Sequence, residues 1–287
     1  MKIAVLSGKG GTGKTLVSVN LASVSKHSVY VDCDVEEPNG HLFFKPTELK
    51  KEKVSIKIPL VDEDLCIGCR KCVDFCKFNA LAAVLDKLIV FEEVCHACGG
   101  CILLCPTNAL TEKDKAIGEI QKGVSDQVKV ISGILNTGEE SGVPIIKQLL
   151  KDINDESNPV FIDCPPGSAC IAMESIRDAD YCILVAEPTI FGLHNFKMVY
   201  ELVKIFNKPH GVVINKCFDD ENENLIEKYC NEQAIKVLSK IYFESELGKL
   251  NSNAEIASRK SEKYKLMFTS LLQTVIEEVP HETVTHS

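Results

Sequence analysis

The stretch Lys2-Ile3-Ala4-Val5-Leu6-Ser7-Gly8-Lys9-Gly10-Gly11-Thr12-Gly13-Lys14-Thr15 decides the fold. Its first residues are a short apolar run of strand type. Its last eight fit G-x-x-x-x-G-K-[ST], and a helical pattern follows, which is the context the motif requires. The glycines let consecutive backbone N–H groups converge on phosphate oxygens with no Cβ in the way. The helix adds the positive end of its dipole. Lys14 is placed to meet β- and γ-phosphates, and Thr15 to ligate Mg²⁺. A glycine-rich turn with a chance lysine is the bland alternative, and eight ordered positions in the right context outweigh it.

Outward from that loop, β-branched runs alternate with longer helical patterns. Strands are expected at 2–6, 29–32, 128–132, 160–163, 181–186, 211–215 and 235–241. Helices are expected at 14–26, 142–153, 170–177, 193–207, 222–231 and 262–278. The strand runs are nearly continuously apolar, as strands covered on both faces are. This rhythm specifies a doubly wound α/β fold with a mainly parallel sheet and right-handed crossovers.

The 287 residues are 45% hydrophobic and 25% charged, a globular composition. A formal net charge of −9 argues against a nucleic-acid-binding surface, which needs cations to displace counterions. No apolar run approaches the roughly 20 residues that span a bilayer, and the N-terminus carries no signal-peptide pattern. A cytoplasmic protein without stable membrane association is expected.

Of the 14 cysteines, eight lie between Cys66 and Cys105. In a reducing cytosol that density points to metal or redox chemistry rather than disulfides. The other six (Cys33, Cys164, Cys170, Cys182, Cys217 and Cys230) are scattered, several in apolar runs where a thiol acts as a small hydrophobe. The dense region repeats itself: every cysteine from Cys66 to Cys76 recurs 29 positions later, and Asn79-Ala80-Leu81 returns as Asn108-Ala109-Leu110. Two copies of one small unit are expected to pack about a pseudo-twofold axis. So short a segment buries little core, and a bound group would have to organise it. The expected division is residues 1–61 and 113–287 for the α/β domain, with 62–112 inserted as a small α+β module. The polar tail 281–287 is expected to fray.

The additional lysine in Lys9-Gly10-Gly11-Thr12-Gly13-Lys14-Thr15 resembles the deviant phosphate loop of the MinD/ParA group of P-loop ATPases, which includes the nitrogenase iron protein and Mrp-type cluster carriers. The resemblance covers most of the chain outside the cysteine insert. It implies that Lys9 reaches across an ATP-sandwich dimer, either a homodimer formed on ATP binding or a heterodimer with a paralogue. Asp32-Cys33-Asp34 matches the family's first switch, and Asp163, followed by Cys164-Pro165-Pro166-Gly167, its Walker B residue and second switch. Asn215-Lys216 matches the adenine-reading segment. Carboxylates at the tips of parallel strands face the ligand crevice. Asp32 and Asp163 would hold Mg²⁺ through its waters, Asp34 would orient the attacking water, and Gly167 would offer its N–H to the γ-phosphate. Each aspartate alone could as well cap a helix. One departure stands out: the family's usual proline beside adenine is replaced here by Tyr242, after Ile241.

Cys66-Ile67-Gly68-Cys69-Arg70-Lys71-Cys72-Val73-Asp74-Phe75-Cys76 is C-x₂-C-x₂-C-x₃-C. The run from Cys95 through Cys98 and Cys101 to Cys105 repeats it and ends in Pro106. Both resemble bacterial two-cluster ferredoxins, in which each trio takes its fourth thiolate from the other repeat. The resemblance implies one [4Fe–4S] cluster on Cys66, Cys69, Cys72 and Cys105, and a second on Cys76, Cys95, Cys98 and Cys101. Zinc is the rival, but its tetrahedral sites usually draw on two separated pairs. Lys77 stands where the first motif would normally have proline. His96, with four thiols already at hand, is expected to be a surface residue.

The combination resembles MinD-superfamily ATPases with an inserted ferredoxin domain, a match strengthened by Asp34-Val35-Glu36-Glu37-Pro38-Asn39, Leu135-Asn136-Thr137-Gly138-Glu139, Glu187-Pro188-Thr189 and Phe191-Gly192-Leu193-His194. It implies an ATP-hydrolysing iron–sulfur protein whose nucleotide state gates electron delivery to a partner protein. Metallocluster assembly or delivery is one alternative, weakened because Cys217 and Cys230 do not form the late C-x-x-C of the Mrp-type carriers. A MinD-like spatial organiser with structural clusters is another. Such proteins grip membranes with a basic amphipathic C-terminal helix, whereas Leu266, Phe268, Leu271, Leu272 and Val275 here precede an acidic end and suit core packing.

Overall fold

The computed structural model describes residues 1–85, 87–167, 170–218 and 224–279. The expected tail 281–287 and the first two residues of the expected helix 222–231 lie outside the described residues. The chain opens with β1 (Lys2–Leu6), α1 (Lys14–Val24), β2 (Val29–Asp32) and α2 (Gly40–Phe44). Then come β3 (Thr47–Val61), α3 (Lys71–Phe75), β4 (Leu81–Val84), β5 (Lys87–Val90), α4 (Gly100–Leu103) and β6 (Leu110–Ser125). It continues through β7 (Val128–Leu135), α5 (Val143–Asp152), β8 (Val160–Asp163), α6 (Cys170–Ile176) and β9 (Tyr181–Ala186). The last elements are α7 (Ile190–Ile205), β10 (His210–Cys217), α8 (Asn224–Glu232), β11 (Val237–Tyr242), α9 (Ser245–Ser252), α10 (Ala257–Lys260) and α11 (Glu262–Glu278).

The sheet order is β11-β10-β9-β1-β8-β2-β7-β6-β3. Every pair from β11 to β7 is parallel, and β7–β6 and β6–β3 are antiparallel. Strands β2, β8 and β9 are buried along their whole length, which is why they read as unbroken apolar runs. Helices cover both faces. Ile145, Leu149, Ile176, Val199 and Val203 pack on Ala4, Leu6, Val31, Ile162 and Leu184 on one side. Val17, Leu21, Phe268 and Leu272 pack on Ile3, Val5, Phe161 and Ile183 on the other.

The sequence reading had no strands between 32 and 128, yet β3 and β6 form a long antiparallel ribbon, from Thr47 paired with Val124 to Val61 paired with Leu110. Val54, Ile56 and Ile58 alternate with polar residues along β3, but the flanking lysines and glutamates mask the pattern. Those charges pair across the ribbon, as Lys51 with Glu119, Lys122 with Glu52 and Lys57 with Asp114. Exposed pairs of this kind each contribute about 1 kcal/mol or less, so the ribbon's hold on the body rests on β7 and on buried Ile117 and Ile120. The cysteine segment hangs from the far end of the ribbon, between Val61 and Leu110.

Helix α11 buries Tyr264, Phe268, Leu271, Leu272 and Val275 against the sheet. Leu266, expected on the same stripe, is 64% exposed: two residues from Phe268, it lies about 200° around the helix. Phe268→Ala is expected to cost about 3–5 kcal/mol in urea unfolding, whereas Leu266→Ser should leave the midpoint nearly unchanged. Equal effects would show that the stripe is not core.

Candidate functional site

The phosphate loop sits at the C-terminal edge of the sheet between β1 and α1, with Gly11 and Gly13 at positive φ. Two glycines here are fixed by crowding. A Cβ on Gly8 would lie 2.1 Å from the Asn195 carbonyl oxygen of α7, and one on Gly13 would lie 2.1 Å from Asn215 Nδ2. Asn215 is 3% exposed and donates from Nδ2 to the Thr12 carbonyl at 2.8 Å. The residue that the resemblance assigned to adenine therefore braces the back of the loop. Thr12 Oγ1 closes the turn on the Lys9 carbonyl at 3.0 Å.

Three carboxylates gather around one ammonium group. Lys14 Nζ lies 2.7 Å from Asp163 Oδ1 and 3.8 Å from Asp34 Oδ2, and Asp163 also accepts from the Tyr30 hydroxyl at 2.8 Å. Asp32 accepts from the Gly40 N–H at 2.8 Å and the Asp34 N–H at 3.1 Å. Strands β2 and β8 are in register at Asp32 and Asp163, so the fold itself sets these two side by side. Burial would lower the Lys14 pKa, but Asp163 most of all raises it on balance. Burial and the Asp163 charge push Asp32 up to about 7 despite Lys14. Burial raises Asp34 to about 6, again against Lys14. The centre thus carries more negative charge than its lysine neutralises, which is the setting a divalent cation relieves. No three His, Cys, Asp or Glu side chains among the described residues converge on one point as a single-ion site. Mg²⁺ commonly needs only one or two carboxylates, with waters and phosphate oxygens completing the shell. Asp32, Asp163 and Thr15 fit that mode.

The remaining expected residues lie nearby. The Gly167 N–H, expected to meet a phosphate, here donates to the Ser7 carbonyl at 2.9 Å, with Gly167 at φ 88°. Lys9 Nζ pairs with Glu187 Oε2 at 2.7 Å within its own chain, and Lys216 Nζ reaches Glu187 Oε1 at 2.5 Å and the Gly11 carbonyl at 2.7 Å. Tyr30 and Glu187 are site residues that motif reading missed. Tyr30 carried no signal beyond its place in β2, and Glu187 stood only in a motif without an assigned role.

The module at the ribbon tip repeats in space as in sequence. The left-handed backbone at Gly68, Arg70 and Asn79 recurs at Ala97, Gly99 and Asn108. Its core is small: Leu81, Cys101 and Leu110 pack together, and Ala80 and Ala109 are buried beside them. Two cavities open beside it. One is lined by Cys66, Cys69, Cys72 and Cys105; the other by Cys76, Cys95, Cys98 and Cys101. Each trio thus has as its neighbour the last cysteine of the other repeat. Burial raises the thiols of Cys72 and Cys95, and brings Cys101 up to about 11. Burial would raise Cys105 too, yet hydrogen bonds from the Thr107 N–H and hydroxyl and from the Ala109 and Leu110 N–H groups hold it below the ordinary thiol range. Those donors favour the thiolate, the form that ligates metal. His96 stacks on Phe78 with ring centroids 3.9 Å apart, joining the two halves.

The second half of the module leans on the body. Lys115 Nζ bonds Glu139 at 2.8 Å and the Glu92 carbonyl at 2.8 Å, both near Cys95, which accounts for Glu139 in the Leu-Asn-Thr-Gly-Glu motif. A crevice beside it is lined by Cys95, His96, Glu139, Lys147 and Cys170, the last at the start of α6.

Strand tips, phosphate loop and acidic centre together define a nucleotide-binding α/β protein. The model of the CobQ/CobB/MinD/ParA nucleotide-binding domain family matches residues 3–256, and the chain belongs to that family. An uncharacterised protein of Methanocaldococcus jannaschii, MJ0578, is 32% identical over 283 residues, covering 96% of this chain and 98% of its own. The septum site-determining protein MinD of Pyrococcus horikoshii, solved with Mg-ADP, superposes with a TM-score of 0.60 at 18% identity, over 96% of this chain and 95% of that one. MinD of Aquifex aeolicus, solved in complex with MinC, gives a TM-score of 0.57 at 14% identity, over 98% of each chain. At these identities the solved structures establish a shared fold: a mainly parallel α/β sheet of MinD/ParA type. No helix among the described residues is long and apolar enough to cross a membrane.

The acidic centre sets a pH dependence. Asp32 keeps its proton up to about pH 7 in the folded, metal-free chain, and loses it near pH 3.9 when unfolded. The folded state binds the extra proton between those values, so stability declines as pH rises through about 7. In EDTA the melting temperature is expected to fall from about pH 6 to about pH 8, and saturating Mg-ADP should flatten the slope. A melting temperature that rises over this interval would contradict the assignment.

Proposed function

We propose that this chain binds and hydrolyses MgATP in the manner of the MinD/ParA ATPases, and that its cysteine module holds two [4Fe–4S] clusters whose exchange of electrons with a partner protein is gated by nucleotide. The observation that carries the cluster reading is the crossed lining of the two cavities, four thiols to each, with both lying on the chain that carries the phosphate loop. Bound there, the clusters would supply one-electron transfer. The chain's own part is to hold the thiols, aim N–H donors at Cys105 and anchor the second half of the module through Lys115. At the nucleotide, Lys14 would neutralise phosphate charge, Asp34 would orient water, and Lys9 would complete the site of a second subunit, a copy or a paralogue. The domain division 1–61, 62–112 and 113–287 belongs to the same proposal.

The resemblance to MinD structures favours the second reading, a spatial organiser in which the cysteine module is structural, for the ATPase half of the molecule. Against membrane-based organisation stands α11, whose apolar stripe is buried. A cluster carrier of Mrp type is disfavoured, because Cys217 and Cys230, 1% and 0% exposed, are not available to bridge a dimer.

Anaerobic reconstitution is expected to load the chain with iron for two clusters, and Cys105→Ser should disturb the first set while leaving the second set's EPR signal. Rates of reduction and oxidation should differ between ATP and ADP, and Lys14→Ala should abolish the difference by removing nucleotide binding. Equal rates in all nucleotide states, with clusters present, would leave the organiser reading, which ATP-dependent co-sedimentation with anionic liposomes then tests.

A further inference from the structure

Glu187 follows the last residue of β9 and opens the Glu187-Pro188-Thr189 turn into α7. Its backbone is pinned from both sides. The Thr189 N–H donates to the Glu187 carbonyl at 2.8 Å, and Thr189 Oγ1 caps the helix by accepting from the Gly192 N–H at 2.9 Å. A Cβ on Gly192 would lie 2.0 Å from the same Glu187 carbonyl oxygen. This fixed turn holds the Glu187 carboxylate, 7% exposed as a residue, across the front of the phosphate loop. One oxygen meets Lys9 and the other Lys216, and Lys216 also holds the Gly11 carbonyl. Burial alone would raise the Glu187 pKa, but the hydrogen bonds from Lys216 and Lys9 bring it below the ordinary carboxylate range, so it stays ionised near neutrality.

Two cations on one carboxylate make the arrangement divisible. Lys216 is tied to the loop and can keep Glu187 neutralised alone. Lys9, 39% exposed on its side chain, has no other ion-pair partner among the described residues and can leave without stranding a buried charge. The turn beside it presents Ile190 and Phe191, 79% and 77% exposed, as apolar surface that a second copy of the chain could cover.

We propose that Glu187 is a positioning residue for Lys9, parking it in its own subunit and so setting the ATP concentration at which two chains close around nucleotide. This rests on the reading of the chain as an ATP-sandwich dimer. Phosphate and the second chain must together outcompete the carboxylate, and a half-exposed, charge-assisted pair of this kind is worth about a three- to tenfold shift in that threshold.

The test is Glu187→Gln, with Glu187→Asp as the charge-conserving variant. The ATP concentration for half-maximal dimer in sedimentation velocity is expected to fall three- to tenfold in E187Q, with E187D between it and the unmodified chain. Acylation of Lys9 by an amine-reactive reagent in the nucleotide-free monomer, read by mass spectrometry against Lys2, should speed up by a similar factor. An unchanged threshold with unchanged labelling overturns the proposal. So does loss of ADP binding together with the dimer in E187Q, which would make Glu187 a brace of the loop. If the unmodified chain forms no dimer at any ATP concentration, the sandwich reading fails, and the labelling rate still decides whether Glu187 holds Lys9.

Discussion

The nucleotide site hangs on the grip of Asp163 on Lys14 and Tyr30. Asp163 ends β8, the strand between β1 and β2 at the middle of the sheet, and its two oxygens bond a residue from each neighbouring segment. Lys14 begins α1, so the bond fixes where the helix starts relative to the sheet and thereby the shape of the loop before it. Tyr30 packs its ring on Phe44 and leaves no room for a side chain at Gly40. Gly40 in turn supplies the N–H that holds Asp32. A buried charge without such partners would cost several kcal/mol; here each partner has a second structural duty, so the acidic centre and the core constrain each other.

The cysteine module is built on the opposite principle. With a core of three packed side chains, two buried alanines and two thiol-lined cavities, it draws little of its order from a core of its own. What holds it is the ribbon behind and the Lys115 contacts at its side, and a group ligated by the thiols would add to them. Several of those thiols sit where burial disfavours the thiolate, and a cationic centre would reverse that preference.

The parallel sheet was legible because buried strands announce themselves as apolar runs, and Asp32 and Asp163 because a carboxylate at the tip of such a run has a place to point. The trio-plus-one pattern was legible because its 29-residue echo is exact in spacing. The ribbon was not, since the pairing of Lys51 with Glu119 and Glu52 with Lys122 depends on residues some 70 positions apart. Glu187, Tyr30 and the bracing role of Asn215 were hidden for the same reason: each acts on a partner that only the tertiary fold brings near. Lys9 shows the limit of a motif, which names the residue but not the carboxylate that holds it in a single chain.

The ribbon gives the molecule a boom. Its strands are anchored to β7 from Gly118 to Ser125, and Asn136 bonds the Ile117 and Ala116 carbonyls, while Leu110 to Lys115 of β6 run on beyond. At about 3.4 Å per residue that part is roughly 20 Å long. A tilt of a few degrees at its root would carry the tip through ångströms, and Lys115 tethers the ribbon on the body side, against the loop that follows β7. Cys170 faces the same crevice from just behind Gly167. The contact that fixes where the boom rests thus adjoins the segment that carries Gly167, and a displacement there would be lengthened at the thiols.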